Sequence, residues 1–229
     1  MPQRLQGRRR EDLKEFEPIW ETIEGLMGGF VPNSMFIMSH NIELMSGFGM
    51  LSSAVFRGSK EGHPNPLRAM WGSLRYKLKN LGKPEPEPIT NELRYLVFTA
   101  VSLSSGCRYC QAHSAMLAGH SGSNQEKLDS ILSYETSEHY SAAERAAVAL
   151  AFAAGQVPNE TTNDHFEELK KYYSDAQIID IVAAIAYMGF LNRWNDTFST
   201  TLEETPLSFA SSNLKEVPWE VGKHASGEA

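Results

Sequence analysis

Both cysteines of this chain stand in one short stretch: residues 106–113 read Gly-Cys-Arg-Tyr-Cys-Gln-Ala-His. Cys107 and Cys110 are therefore one helical turn apart, and His113 lies one turn further on. A thiol at the start of a helix meets unpaired N–H groups and the positive end of the helix dipole, and both favour its thiolate. Free cysteine is only about 3 % ionised at neutral pH, and lowering its pKa by about two units makes thiolate the majority form. Attack on a peroxide then yields a sulfenic acid, which a second thiol closes to a disulfide. The spacing predicts a redox dithiol.

Other side chains qualify that reading. In the helix predicted over 90–104, Glu92, Tyr95, Thr99 and Ser102 recur on one face that leads toward the cysteines. A carboxylate and a phenol there can pass protons to a histidine; the same face also suits a polar stripe between helices. Zinc is a competing use of the thiols. Cys107, Cys110 and His113 offer three donors, and His120 and His139 lack the spacing of a fourth. Two inert buried cysteines and a core histidine complete the alternatives.

The elements that must position these groups are helical. Predicted helices run over 11–27, closed by Gly28 and Gly29, and from Asn33 to about residue 55, with a short one around 67–81. Gly106 breaks the chain before a helix starting near Cys107. Ser123 with Glu126, Ser141 with Glu144 and Ser174 with Gln177 have capping-box spacing. The runs 146–154 and 178–191 are apolar enough for helices buried on most sides, the second also suiting a subunit interface. The expectation is an all-α protein of about eight helices. It forms one domain with an N-terminal part and Pro-rich linker (1–88), a dithiol-bearing core (89–204) and an extended tail (205–229).

Composition limits the function. The 229 residues carry a net charge of −7, which argues against a nucleic-acid surface. Arg4, Arg8, Arg9 and Arg10 read as a solvated, frayed terminus. No stretch reads as a signal peptide. The longest apolar run, 181–191, falls short of the roughly 20 residues needed to span a membrane. The expected location is the cytoplasm, where a cysteine pair is catalytic rather than structural. Met35, Met38 and Met45 read as flexible core filling. Phe209 and Trp219 read either as a clasp on a neighbouring subunit or as part of a disordered tail.

The stretch from Glu92-Leu93-Arg94 through 106–113 resembles the core motif of the carboxymuconolactone decarboxylase superfamily, in its alkylhydroperoxidase D-like, peroxidase-related branch. The segments 29–33, 141–151 and 174–196, the last containing Asn192-Arg193-Trp194-Asn195-Asp196, are similar to the family's other helices. The resemblance implies an alkylhydroperoxidase D-like helical bundle that assembles into dimers, trimers or hexamers. It implies reduction of organic or hydrogen peroxide at the expense of a dithiol electron donor, with no metal, flavin or other cofactor. Carried over, Cys110 is the nucleophile, Cys107 the resolving thiol, His113 the base and a glutamate the proton relay. Two positions depart from the pattern. The family's histidine position falls on Ser114, one residue after His113. Its glutamate position falls on Tyr95, with Glu92 one turn earlier as the substitute. The alternatives are a lactone decarboxylase or isomerase of the same superfamily, and a non-catalytic helical oligomer that senses oxidation.

Overall fold

The computed structural model describes residues 5–26, 29–55, 66–84 and 86–226, and all regular structure among them is helical. The chain divides into two compact units, Met1–Glu87 and Pro88–Ala229. The sequence reads as one domain, but two sets of apolar side chains each close on themselves.

In the first unit a 3₁₀ segment, Arg10–Phe16, leads into α1 (Glu17–Leu26), where a single helix over 11–27 was predicted. Pro18 explains the difference. Its ring clashes with the carbonyl four residues back, so the α-helix starts beside it and Leu13 leaves helical geometry. The predicted ending at Gly28 lies outside the described residues, as do Arg4 and residues 56–65. The helix expected from Asn33 onward is two, α2 (Asn33–Met38) and α3 (Ile42–Val55). Asn41 divides them by accepting the Leu44 N–H at 2.9 Å, which caps α3. α4 (Pro66–Lys79) follows. Leu13, Phe16, Ile19, Trp20, Ile23, Ile42 and Met45 make the core, with Met35 and Met38 packed against it. The arginines are engaged rather than frayed: Arg10 pairs with Glu17 and Glu24, and Arg8 donates to the Ser39 carbonyl and the Tyr76 hydroxyl.

The second unit is built around α5 (Asn91–Ser105) and α6 (Arg108–His120), which form a hairpin. Thr90 caps α5 by accepting the Leu93 N–H at 3.2 Å. Gly106 ends it at φ 79°, a left-handed turn open to glycine at no steric cost. Asn124, not Ser123, caps α7 (Gln125–Asp129), and Ser123 instead reaches toward Glu92. The capping boxes at Ser141 and Ser174 start α8 (Ala142–Gly155) and α10 (Asp175–Phe198), with α9 (Asn163–Leu169) between them. α5 packs against α6, α8 and α10, and small residues let it approach α8 closely. A Cβ on Gly155 would stand 2.8 Å from that of Ser104. α10 is long and apolar enough by composition to cross a bilayer, yet Ile178, Ile181, Ile185 and Met188 bury one side of it in this core.

The described residues 205–226 do not form an extended tail. α11 (Glu204–Asn213) and a 3₁₀ turn, Gly222–His224, occupy them, and Ala210, Leu214 and Val217 join the core. Pro206 sits in the first turn of α11, where a missing N–H costs nothing. The helices beyond the expected eight are this one, α9 and the second half of the divided 33–55 segment.

Candidate active site

Cys107 is the N-cap residue of α6, and its sulfur accepts the backbone N–H of Cys110 at 3.4 Å. Both thiols are unbridged and buried, with 1 % and 3 % of their surfaces exposed. The Cys110 thiol, as donor to Cys107, holds the Cys107 pKa below the ordinary thiol value, and the Cys110 N–H adds to this against the effect of burial. Cys110 is pushed strongly upward by the same bond and by burial. The two thiols are therefore inequivalent, Cys107 being the more readily ionised.

The last turns of α10 form one wall. Asn195 Nδ2 donates to the Cys110 sulfur at 3.6 Å. Asn192 accepts from the Ser102 hydroxyl at 3.2 Å, and Gln111 donates to the Ser102 carbonyl, which ties α5, α6 and α10 together behind the sulfurs. Ser102 and Thr99 are thus buried between helices, and Thr99 bonds back to the Tyr95 carbonyl. Of the predicted polar face, neither side chain is a proton donor to the thiols.

His113 stands one turn beyond Cys110, stacked on Tyr109 with ring centres 4.3 Å apart. Its Nδ1 lies 3.1 Å from the Tyr109 carbonyl and its Nε2 3.2 Å from a Glu203 carboxylate oxygen. Tyr109 donates its hydroxyl to the other Glu203 oxygen at 2.9 Å. Burial and that carboxylate raise the Tyr109 pKa to about 12.

Glu92 is not brought to the dithiol. It stands in the first turn of α5, about 20 Å of helix rise from Ser105 at the cysteine end. There it pairs with Lys127 at 2.7 Å, and Lys127 also meets Glu144 at 2.6 Å. The carboxylate beside His113 is instead Glu203, which enters from the loop before α11.

The far end of the chain supplies the opposite wall. Trp219 donates its indole N–H to the Arg108 carbonyl at 3.1 Å, and Arg108 donates to the Pro218 carbonyl at 2.6 Å. Phe209 lies against Gly119 and His120, so both aromatics expected to clasp a neighbour or fray are held within their own unit. His224 is fully buried, its ring 5.8 Å from that of Tyr109. A cleft of about 780 Å³, lined in part by Ser104, Gln156, Asn192, Arg193 and Asp196, opens alongside. Asp196 faces both this cleft and Cys107. Nothing in the spacing of Asp196, Glu203 or His224 marks them beforehand, though Asp196 lies in the Asn-Arg-Trp-Asn-Asp segment singled out above.

An all-α unit with a Cys-x-x-Cys pair at a helix cap has counterparts among known proteins. Residues 69–153 match the Carboxymuconolactone decarboxylase family. The chain is similar to the debrominase Bmp8, at 29 % identity over 93 % of this chain and 98 % of the other, with a TM-score of 0.53. That structure is a cysteine-to-alanine variant in complex with 2,3,4-tribromopyrrole. The apo form of Bmp8 gives a TM-score of 0.52 at 29 % identity, covering 92 % of this chain and 96 % of that one. An uncharacterized protein, YdfG of Bacillus subtilis (strain 168), is 24 % identical over 108 residues, 47 % of this chain and 71 % of that protein.

Proposed function

We propose that this protein is a dithiol oxidoreductase of the alkylhydroperoxidase D-like kind, in which Cys107 and Cys110 pass two electrons to a peroxide. The observation that carries the proposal is the Cys107 sulfur at a helix cap, bonded by the N–H of its own partner cysteine. Cys107 thiolate attacks the terminal peroxide oxygen, the O–O bond breaks, and the leaving alkoxide takes a proton to depart as an alcohol. The Cys107 sulfenic acid then condenses with the Cys110 thiol, releasing water and closing the disulfide. An external dithiol reopens it. The family pattern gives the attack to Cys110. The cap position of the Cys107 sulfur, which accepts a helix N–H, favours Cys107, with Cys110 as the resolving thiol. His113, held by Glu203, is the group that exchanges protons with solvent at the open side of the site.

The protein acts in a reducing compartment, the cytoplasm, as a homo-oligomer. Self-assembly is supported by the exposed row of Phe190, Trp194 and Phe198 on α10, whose rings lie against one another.

The experiment is peroxide consumption by the reduced chain with a dithiol donor, together with trapping of sulfenic acid by a dimedone probe. Expected are one disulfide per chain, loss of turnover in both Cys107→Ser and Cys110→Ser, and a trapped adduct on Cys107 in Cys110→Ser. An adduct only on Cys110 returns the attack to that residue. Undiminished turnover in both variants ends the proposal.

A second reading, reductive debromination, is favoured by the likeness to Bmp8 along nearly the whole chain and by a cleft large enough for a small ring. Thiolate would take bromine from a protonated ring carbon. The second thiol would then displace bromide and close the same disulfide. The same assay with a brominated pyrrole, reading bromide release, separates the two.

A further inference from the structure

Three electron-rich atoms converge beside the dithiol: the Cys107 sulfur, an Asp196 carboxylate oxygen and a His224 ring nitrogen, all within 4.8 Å of one another. They come from the cap of α6, the last turns of α10 and the Gly222–His224 turn. His224 Nδ1 lies 2.8 Å from the Thr200 carbonyl. A carbonyl only accepts, so the ring proton is on Nδ1 and Nε2 presents its lone pair to the site. That Nε2 is buried and has no hydrogen-bond partner among the described residues. Its nearest charged neighbour, Asp196 Oδ1 at 3.6 Å, is another acceptor. A buried acceptor left unsatisfied costs about 1–3 kcal/mol, and here two acceptors and a sulfur face one another. A bound cation among them relieves all three.

We propose that Cys107, Asp196 and His224 form a binding site for a thiophilic divalent cation, Zn²⁺ in the first instance. Thiolate, imidazole and carboxylate are zinc's ligand set, whereas magnesium and calcium take oxygen alone. Three protein ligands leave a fourth position open, as in reactive rather than structural zinc sites. The Nδ1–H bond to Thr200 is the outer bond that orients a metal-binding histidine. Lys223, 2.8 Å from Asp196 Oδ2, holds the carboxylate with its other oxygen turned inward. Zinc bonds of about 2.0–2.3 Å require the three groups to draw together. Half-exposed Asp196 is placed to move. Binding replaces the Cys107 thiol proton, which leaves to solvent as the S–Zn bond forms. A metal-held Cys107 cannot also close the disulfide, so occupancy and oxidation exclude each other. The site goes beyond the redox reading and does not depend on it.

The test is titration of the reduced full chain with Zn²⁺ against a competing chelator, and with Co²⁺ for its thiolate charge-transfer absorption. One zinc per chain is expected, with none bound by the disulfide form. Asp196→Asn and His224→Gln should each weaken binding about tenfold or more, while His113→Gln should not. The cobalt band should vanish in Cys107→Ser and survive in Cys110→Ser. The proposal is overturned by a folded, reduced chain that binds no zinc, or by unchanged affinity in Asp196→Asn, whose half-exposed side chain is not needed for folding. Survival of the band in Cys107→Ser overturns it too. Because the readout is binding rather than turnover, its failure leaves the peroxide reading standing, and the reverse also holds.

Discussion

The two ends of the α5–α6 hairpin carry similar chemistry and use it differently. At one end Glu92 and Glu144 share Lys127, and Glu144 also closes a capping box with Ser141. At the other end a sulfur, a carboxylate and an imidazole meet, and one imidazole nitrogen has no hydrogen-bond partner among the described residues. The first cluster is closed, both carboxylates bonded to one ammonium within a partly buried setting. The second is left open toward a ligand or a proton. A polar group's part in stability or in reaction follows from whether its partners complete it, more than from its residue type.

The largest expected effect comes from breaking the closed end. Lys127→Met strands two partly buried carboxylates and should cost about 3 kcal/mol, read by denaturant unfolding, since removing one partner of a buried pair leaves the other uncompensated. Disulfide closure by peroxide should keep its rate, and a change in that rate would show the two ends to be coupled. The acid limb of stability should flatten in the same variant. Burial raises the Glu144 pKa, but hydrogen bonds from Lys127 and Ser141 outweigh it and hold the carboxyl below 4.5. Its contribution is therefore present above that value and lost as pH falls through the lower folded value. Lys127 is shifted upward, so its share is lost only as pH rises through a value above 10.5.

A smaller effect sharpens the contrast between the two glutamates. Glu203→Gln should lower peroxide turnover about tenfold by releasing His113, whereas Glu92→Gln should leave turnover within about twofold of the parent. Equal losses in both would restore Glu92 to the relay. Gly106→Ala should cost about 1 kcal/mol in unfolding, because its φ of 79° is strained for a side chain while the space around it is open. Tyr109→Phe, which removes one hydrogen bond to a half-exposed carboxylate, should cost only about 0.5 kcal/mol by the same measurement.

What was legible in the sequence is what local spacing determines. Cys107 at a cap, the Gly106 turn, the boxes at Ser141 and Ser174 and the buried faces of α5, α8 and α10 all follow from neighbours within one or two turns. Glu92 was misplaced because face and charge say nothing of which end of a hairpin a residue occupies. Glu203 and His224 were invisible because they reach His113 and Cys107 through folding of a polar stretch. That stretch is pinned by Leu214, Val217 and Trp219, too few apolar residues to show a period. The break between α2 and α3 turned on one asparagine side chain, which reads equally well inside a polar turn or a helix.

His224 accepts the Leu202 N–H at 2.8 Å and stands beside a cysteine made far earlier in translation. On the ribosome, α6 can therefore form with its two sulfurs still uncovered, long before their neighbour exists. A nascent chain meets oxidants, metals and thiol exchange partners in a state that the finished protein never shows.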